Sequence, residues 1–159
     1  MTDAMGEQMT VADVERFLET AFPQLEGAKE AGRDSQEDDR RHYTVVSIGQ
    51  ATATMRLDPG IRHLRPGGTV SGPSLFTLAD VGCWVAILAQ IGPQEMVVTT
   101  NLTINFLRLP KQKPVDCDCR ILKLGRRLAV VEALMHQGNP AEPVAHATGT
   151  YSIPPANGR

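Results

Sequence analysis

Ser71-Gly72-Pro73-Ser74-Leu75-Phe76-Thr77-Leu78-Ala79-Asp80, running on to Ile91, is the stretch that decides the fold. From Ser74 to Ile91 nearly every residue is apolar or small, and the apolar ones fall on all faces at the helical period. A helix that is apolar all round is a buried one. Pro73 suits the first helical position, with Gly72 or Ser71 as the cap, and Gly92-Pro93 marks the end. At about 1.5 Å per residue the helix is roughly 27 Å long. Its apolar run is short for a membrane span and polar segments border it, so it reads as the core helix of a soluble domain.

One carboxylate, Asp80, stands inside this cylinder. The residues three, four and seven positions away are Phe76, Thr77, Cys83, Trp84 and Ile87, and none is a cation. An ionised carboxylate there costs several kcal/mol unless it is hydrogen-bonded or wet. Either Asp80 meets solvent or caps a neighbouring loop, or it opens into a cavity and is kept for chemistry.

Working outward, the 159 residues suffice for one domain with a sizeable core. A net charge of −2 with 4% aromatic residues gives neither a basic field nor stacking platforms, which argues against nucleic acid as a partner. The three cysteines, Cys83, Cys117 and Cys119, make no even disulfide framework, and no apolar signal segment opens the chain, so a cytoplasmic location is expected. Cys117 and Cys119 share one strand face, but no second Cys pair or His cluster accompanies them; no metal and no cofactor is expected.

In chain order, Met1 to Met9 are expected to be loose. Thr10-Val11-Ala12-Asp13 resembles a capping box, and Val11, Val14, Phe17, Leu18 and Ala21 follow at helical spacing up to Pro23. Glu15, Arg16 and Glu19 read as its solvated face. Residues 26–41 are charged and poor in large apolar side chains, which predicts a loop or mobile cover. His42 to Leu57 reads as one long strand, or a hairpin broken near Gly49. After the central helix come four strand candidates, 96–107, 114–124, 127–137 and 144–153. Thr99, Asn101, Thr103 and Asn105 alternate with Thr100, Leu102, Ile104 and Phe106 at a period of two. Leu109-Pro110, Gly125-Arg126 and Gly138-Asn139-Pro140 read as turns joining antiparallel neighbours.

A run of strands with no intervening helices is not the alternating parallel type. The expectation is α+β, an antiparallel sheet wrapped around one long apolar helix, which is the hotdog arrangement. Residues 1–41 would form an N-terminal helix and charged loop, 42–153 the hotdog domain and 154–159 a tail.

The run from Gly72 to Asp80 resembles the helix start of hotdog-fold acyl-CoA thioesterases of the phenylacetic-acid-degradation (PaaI-like) type, in the 4-hydroxybenzoyl-CoA thioesterase superfamily. That motif commonly reads His-Gly-Gly, then an apolar helix with an acidic residue eight positions after the first Gly. Thr99 to Arg108 resembles the family's central strand, and Leu122 to Ala129 its hairpin. The resemblance implies that Asp80 activates water or attacks the thioester, that the Gly72 amide meets the thioester oxygen, and that Thr99 helps place the water. It further implies that Arg126, in the Gly125-Arg126 turn, meets a CoA phosphate. Ser71 replaces the usual His, Pro73 the second Gly, and Arg65 an Asn that often steadies the acid. Arg65 could pair with Asp80 or bind an anionic part of the ligand. Trp84, one turn past Asp80, reads as core or as the floor of an acyl pocket.

Gly72 and Asp80 are eight residues apart on one helix, about 12 Å, so one carbonyl cannot touch both. If both act, they come from two copies with the helices antiparallel about a two-fold axis. A homodimer, or a homotetramer built from it, is therefore expected, with an acyl-CoA as substrate. The alternative is a hotdog protein that binds an acyl-CoA or acyl chain without cleaving it. A hydratase would need a His with an acid partner; Ser71 removes the obvious one, and His63 in the preceding loop reads as solvated.

Overall fold

The computed structural model describes residues 7–26 and 41–156. Of the expected loop or mobile cover at 26–41, residues 27–40 lie outside the described residues, as do the first residues 1–6 and the tail end 157–159.

The long helix, α2 (Gly72–Ile91), is the axis of the molecule. Ser71 is its cap, Pro73 stands at the second helical position, and Gly92 closes it at φ 95° with its N–H on the Leu88 carbonyl at 2.8 Å. Leu78, Val85, Ile87 and Leu88 have no exposed surface; each such side chain contributes about 1.5–3 kcal/mol by leaving water. The helix is long and apolar enough by composition to cross a membrane, yet most of it is buried inside the protein's own sheet.

That sheet has six antiparallel strands in the order β1-β2-β4-β5-β6-β3. They are β1 (Tyr43–Gly49), β2 (Thr52–Leu57), β3 (Val98–Phe106), β4 (Val115–Leu124), β5 (Leu128–His136) and β6 (Ala145–Ser152). The inner faces of β5 and β6 are built largely from small residues, Ala129, Ala133, Ala145, Ala147 and Gly149, which lets a helix lie close against them. The outer face is polar and cross-linked between strands: Arg56 to Asp116, Thr54 and His136 to Asp118, Arg120 and His146 to Glu132. Sequence alternation thus sorts core from surface, as period-two strands with one wet face require.

The hairpin reading of the first strand segment holds, with Gln50-Ala51 as the turn and Ala51 at φ 54°. The reading of Leu109-Pro110 as a turn between neighbours does not. β3 pairs with β6, on the far side of the sheet from β4. The link from Leu107 to Pro114 crosses the end of the sheet near the start of α2, where Val70 donates to the Pro110 carbonyl at 3.2 Å and Leu107 to Val144 at 2.9 Å. Side-chain alternation says which face a strand buries, not which neighbour it takes.

The N-terminal helix α1 (Val11–Ala21) has the expected capping box between Thr10 and Asp13 and buries Val14 and Leu18. Its Glu15 is not purely solvated: it accepts from the Val45 amide at 2.5 Å and pairs with Arg41. Met9 is also anchored, donating to the Ala89 carbonyl at 3.0 Å.

Candidate active site

The sheet leaves one stripe of α2 open. Phe76, Thr77, Asp80 and Trp84 keep exposure there while the residues between them are buried. Asp80 accepts two hydrogen bonds on Oδ1, from Thr99 Oγ1 at 2.6 Å and from the Tyr151 hydroxyl at 3.0 Å. The same hydroxyl lies 2.8 Å from the Asp80 carbonyl oxygen. Among the described residues no hydrogen bond engages Oδ2. The lone acid is therefore both hydrogen-bonded and open to a cavity, the two conditions under which its burial is tolerable.

Tyr151 is fully buried. Burial, with the Cys83 thiol and Asp80 beside it, holds its hydroxyl far above the usual tyrosine range, so it remains a donor. Its ring has room because Gly149, two positions earlier on the same face, carries no side chain; a Cβ there would stand 2.8 Å from the ring.

Thr99 reaches Asp80 through a break in the strand. The β3–β6 register shifts between Thr99 and Asn101, leaving Thr100 as the extra residue. Leu102, Ile104 and Phe106 pair with Gly149, Ala147 and Ala145 on the inner face, and Thr99 pairs with Tyr151 on that same face. The unbroken alternation read from the sequence would send Thr99 outward with Asn101. The bulge turns it in, a common use of bulges beside functional sites.

Asp80 and Thr99 open onto a cavity of about 400 Å³ whose other walls are Ala21, Phe22, Val81, Trp84, Glu95, Val97 and Val98. Trp84 is a wall of this cavity and not only core; Phe17 and Phe22 pack on its ring with centroids 5.9 and 6.2 Å away.

Gly72 lies elsewhere, in a cavity of about 360 Å³ with Arg65, Val70, Leu75, Phe106, Arg108 and Leu109 among its walls. The first turn of a helix has amides without intrahelical partners, and here most are accounted for. The second residue is Pro73, which has none; the third, Ser74, donates to Ser71 Oγ at 3.3 Å; Leu75 donates to the Ser71 carbonyl at 3.1 Å. Among the described residues Gly72 is left with its amide unengaged, at the positive end of the helix dipole.

Ser71 is thus a cap, its Oγ 2.8 Å from Ser74 Oγ. Arg65 borders the Gly72 cavity and does not pair with Asp80. Gly125 and Arg126 form the β4–β5 turn, with the Gly125 amide on the Leu128 carbonyl at 2.8 Å, and line neither cavity of the protomer. His63 departs from its solvated reading: it is buried, its ring tilted against His42 at 4.8 Å and edge-on to Tyr43 at 5.6 Å, and accepts the Gly60 amide at 3.0 Å. The cysteines are free and buried, and hydrogen bonding to the Cys117 and Cys83 thiols, with burial, holds the Cys119 thiol well above its usual range. A thiol so protonated is a poor nucleophile. Tyr151 escaped the sequence reading; the signal that could have found it is Gly149 inside a strand, which marks a close approach.

A six-stranded antiparallel sheet closed around one apolar helix is a hotdog fold, and a held carboxylate that borders a cavity is a group able to take a proton from a bound reactant. The family model of the thioesterase superfamily matches residues 67–144. A Pseudomonas aeruginosa protein provisionally named an esterase is 33% identical over 106 residues, covering 66% of this chain and 76% of that one. A crystal structure from Silicibacter sp. TM1040, provisionally named a thioesterase, is 39% identical with a TM-score of 0.78, over 96% of this chain and 97% of the other. A point mutant of the phenylacetic acid degradation protein PaaI from Thermus thermophilus shares the fold, at 23% identity and TM-score 0.62, over 70% of this chain and 93% of that one. The chain belongs to the thioesterase superfamily, and its reaction class is thioester hydrolysis.

Proposed function

We propose that the protein is an acyl-CoA thioesterase whose site is completed by two copies of the chain. Asp80 of one protomer acts on the water or on the thioester carbon, and the Gly72 amide of the partner subunit receives the developing oxyanion. The observation that carries this reading is the Asp80 carboxylate, held on Oδ1 by Thr99 and Tyr151 with Oδ2 left to the cavity.

Chemically, Asp80 takes a proton from water as the oxygen attacks the thioester carbonyl, and negative charge moves onto the carbonyl oxygen facing Gly72 N–H. Collapse breaks the C–S bond, and the proton passes from Asp80 to the leaving thiolate, giving a carboxylic acid and CoA. Should Asp80 attack directly, the C–S bond breaks with departure of CoA as a mixed anhydride forms, and water then cleaves the anhydride; where water attacks the Asp80 carbonyl carbon, single turnover in heavy-oxygen water labels Asp80, which the general-base route never does. Thr99 and Tyr151 fix the carboxylate in either route.

The placement of the two residues supports the two-copy site. Gly72 and Asp80 border different cavities of one protomer, and antiparallel juxtaposition of two α2 stripes brings one of each kind together. β3, the edge strand carrying Thr99, has no strand on its outer side among the described residues, which supports that face as the contact between copies. Arg65 beside Gly72, and Arg126 at a hairpin tip, are the cations assigned to the anionic parts of CoA. A homodimer, or a homotetramer of dimers, in the cytoplasm completes the reading.

The test is a panel of acyl-CoAs on wild type and Asp80→Asn, with the oligomeric state measured by sedimentation. Cleavage by the wild type that Asp80→Asn abolishes while still binding substrate supports the enzyme. Binding without cleavage by the wild type across the panel points to a carrier or sensor, and a stable monomer that cleaves removes the shared site.

A further inference from the structure

We propose that Phe22 sets the length of acyl group that the site accepts, as a partition between the chamber at Asp80 and a second hollow behind it. The proposal rests on the acyl-CoA reading above and concerns the far end of the same site. The chamber of about 400 Å³ begins at Asp80 and Thr99 and runs past Trp84 to Phe22. Beyond lies a hollow of about 230 Å³ walled by Leu18, Leu25 and Tyr43, with Glu19, Glu26 and Arg41 also bordering it. Phe22 alone belongs to both linings.

Its position is fixed by the chain. Pro23 ends α1, and a residue before proline is pushed out of the helical region; Phe22 sits at φ −136°, ψ 55°, with its N–H still on the Leu18 carbonyl at 2.9 Å. There its ring meets Trp84 nearly edge-on, at 87°. α1 itself is docked, with Val14 and Leu18 buried against the core and Glu15 bonded to the β1 backbone. The wall is therefore held both by packing and by backbone hydrogen bonds.

An acyl chain with its carbonyl at Asp80 extends along Trp84 and ends against Phe22. Phe22→Ala removes the partition and joins the chamber to the apolar space around Leu18, Leu25 and Tyr43. Each further methylene then buried should raise affinity about fourfold, whereas in the wild type a methylene past the wall should cost about tenfold or more.

The experiment compares wild type, Phe22→Leu and Phe22→Ala on saturated acyl-CoAs from acetyl to dodecanoyl. The first readout is kcat/KM against chain length. The second is binding to the same three proteins carrying Asp80→Asn, followed by the fluorescence of Trp84, the single tryptophan of the chain. The optimum should move to longer chains in Phe22→Ala by about two methylenes, roughly a 15-fold gain in affinity for the longer substrate, with Phe22→Leu between. Phe22→Leu makes a smaller change to packing and keeps the test decisive should Phe22→Ala unfold. An unchanged optimum in the folded variants, in both readouts, overturns the role of Phe22 and leaves the acyl-CoA reading intact. A wild type that neither cleaves nor binds any member overturns both.

Discussion

Tyr151→Phe deletes one oxygen and keeps the ring that fills the inner face of β6. The hydroxyl serves two acceptors, Asp80 Oδ1 at 3.0 Å and the Asp80 carbonyl oxygen at 2.8 Å. A hydrogen bond to a charged group is worth about 1.5–3 kcal/mol, and ~1.4 kcal/mol is tenfold in rate. If the hydroxyl holds the carboxylate in its reactive pose, kcat/KM should therefore fall about 10- to 100-fold. Stability should drop by roughly 1–2 kcal/mol, which for a chain of this size lowers Tm by about 2–8 °C. Loss of activity alone does not say what Tyr151 acts on, so the assay is a double-mutant cycle with Asp80→Ala. Once the carboxylate is gone, Tyr151→Phe should leave the residual rate unchanged within about twofold. A Tyr151→Phe enzyme within twofold of wild type refutes the reasoning. So does a rate penalty that persists undiminished without Asp80, since Tyr151 would then act on the substrate or on the fold.

Thr99→Val should lower kcat/KM at least about tenfold by removing the shortest bond to Asp80, while Thr99→Ser should stay within a few-fold; equal losses in both would place the cause in the bulge instead. Gly72→Ala puts a Cβ 3.3 Å from the ring tip of Phe106, which is exposed and can yield. Tm should change little, whereas, if the Gly72 amide receives the oxyanion as proposed, kcat/KM falls about 10- to 100-fold as the methyl crowds it; full activity would remove Gly72 from the site. Ser71→Ala removes the cap of α2 and should cost about 1 kcal/mol, measurable by urea denaturation. In alkali, burial and the neighbouring Glu26 push Tyr43 up to about 12, and Tyr151 lies higher still. Unfolded tyrosines release their protons at about pH 10, so above that the unfolded chain binds fewer protons than the folded one. Stability is then full below about pH 10 and is lost as pH rises toward about 12 and beyond. Tyrosinate absorbance should appear only together with unfolding, and a tyrosine ionising near its ordinary value in the folded protein contradicts the burial.

How much of this is legible in the sequence depends on how local the signal is. α2 is legible because one segment carries its own cap, composition and stop: Ser71, the run to Ile91 and Gly92 need no partner to be read. Strand positions are legible to within a few residues, since each buried face repeats every second residue. Strand order is not. The position of β3 beside β6 is decided by how the sheet closes over α2, and nothing between Phe106 and Val115 encodes it. The bulge at Thr100 is hidden for a related reason. Its sequence, Thr99-Thr100-Asn101, continues an acceptable alternation, and only the register against Thr150 and Tyr151 shows the extra residue.

The site divides along the same line. Asp80 is conspicuous because a charge inside an apolar helix is a local contradiction, and the distance from Gly72 is legible because helix rise converts sequence separation into ångströms. Tyr151 is 71 residues from Asp80, and a tyrosine in a strand is ordinary by propensity. Gly149 is the better clue, for a strand interior tolerates glycine where something must come close; the ring that comes close is the one that holds the carboxylate. Phe22 is readable only jointly. Pro23 tells where α1 stops, Trp84 tells where a wall of the cavity stands, and neither says that the two meet until α1 is docked on β1 through Val14, Leu18 and Glu15. The residue proposed to select the substrate is thus placed by contacts between separate segments of the chain. The residue proposed to attack it comes from the most self-evident segment, so a reading of the sequence reaches the reaction before it reaches the specificity.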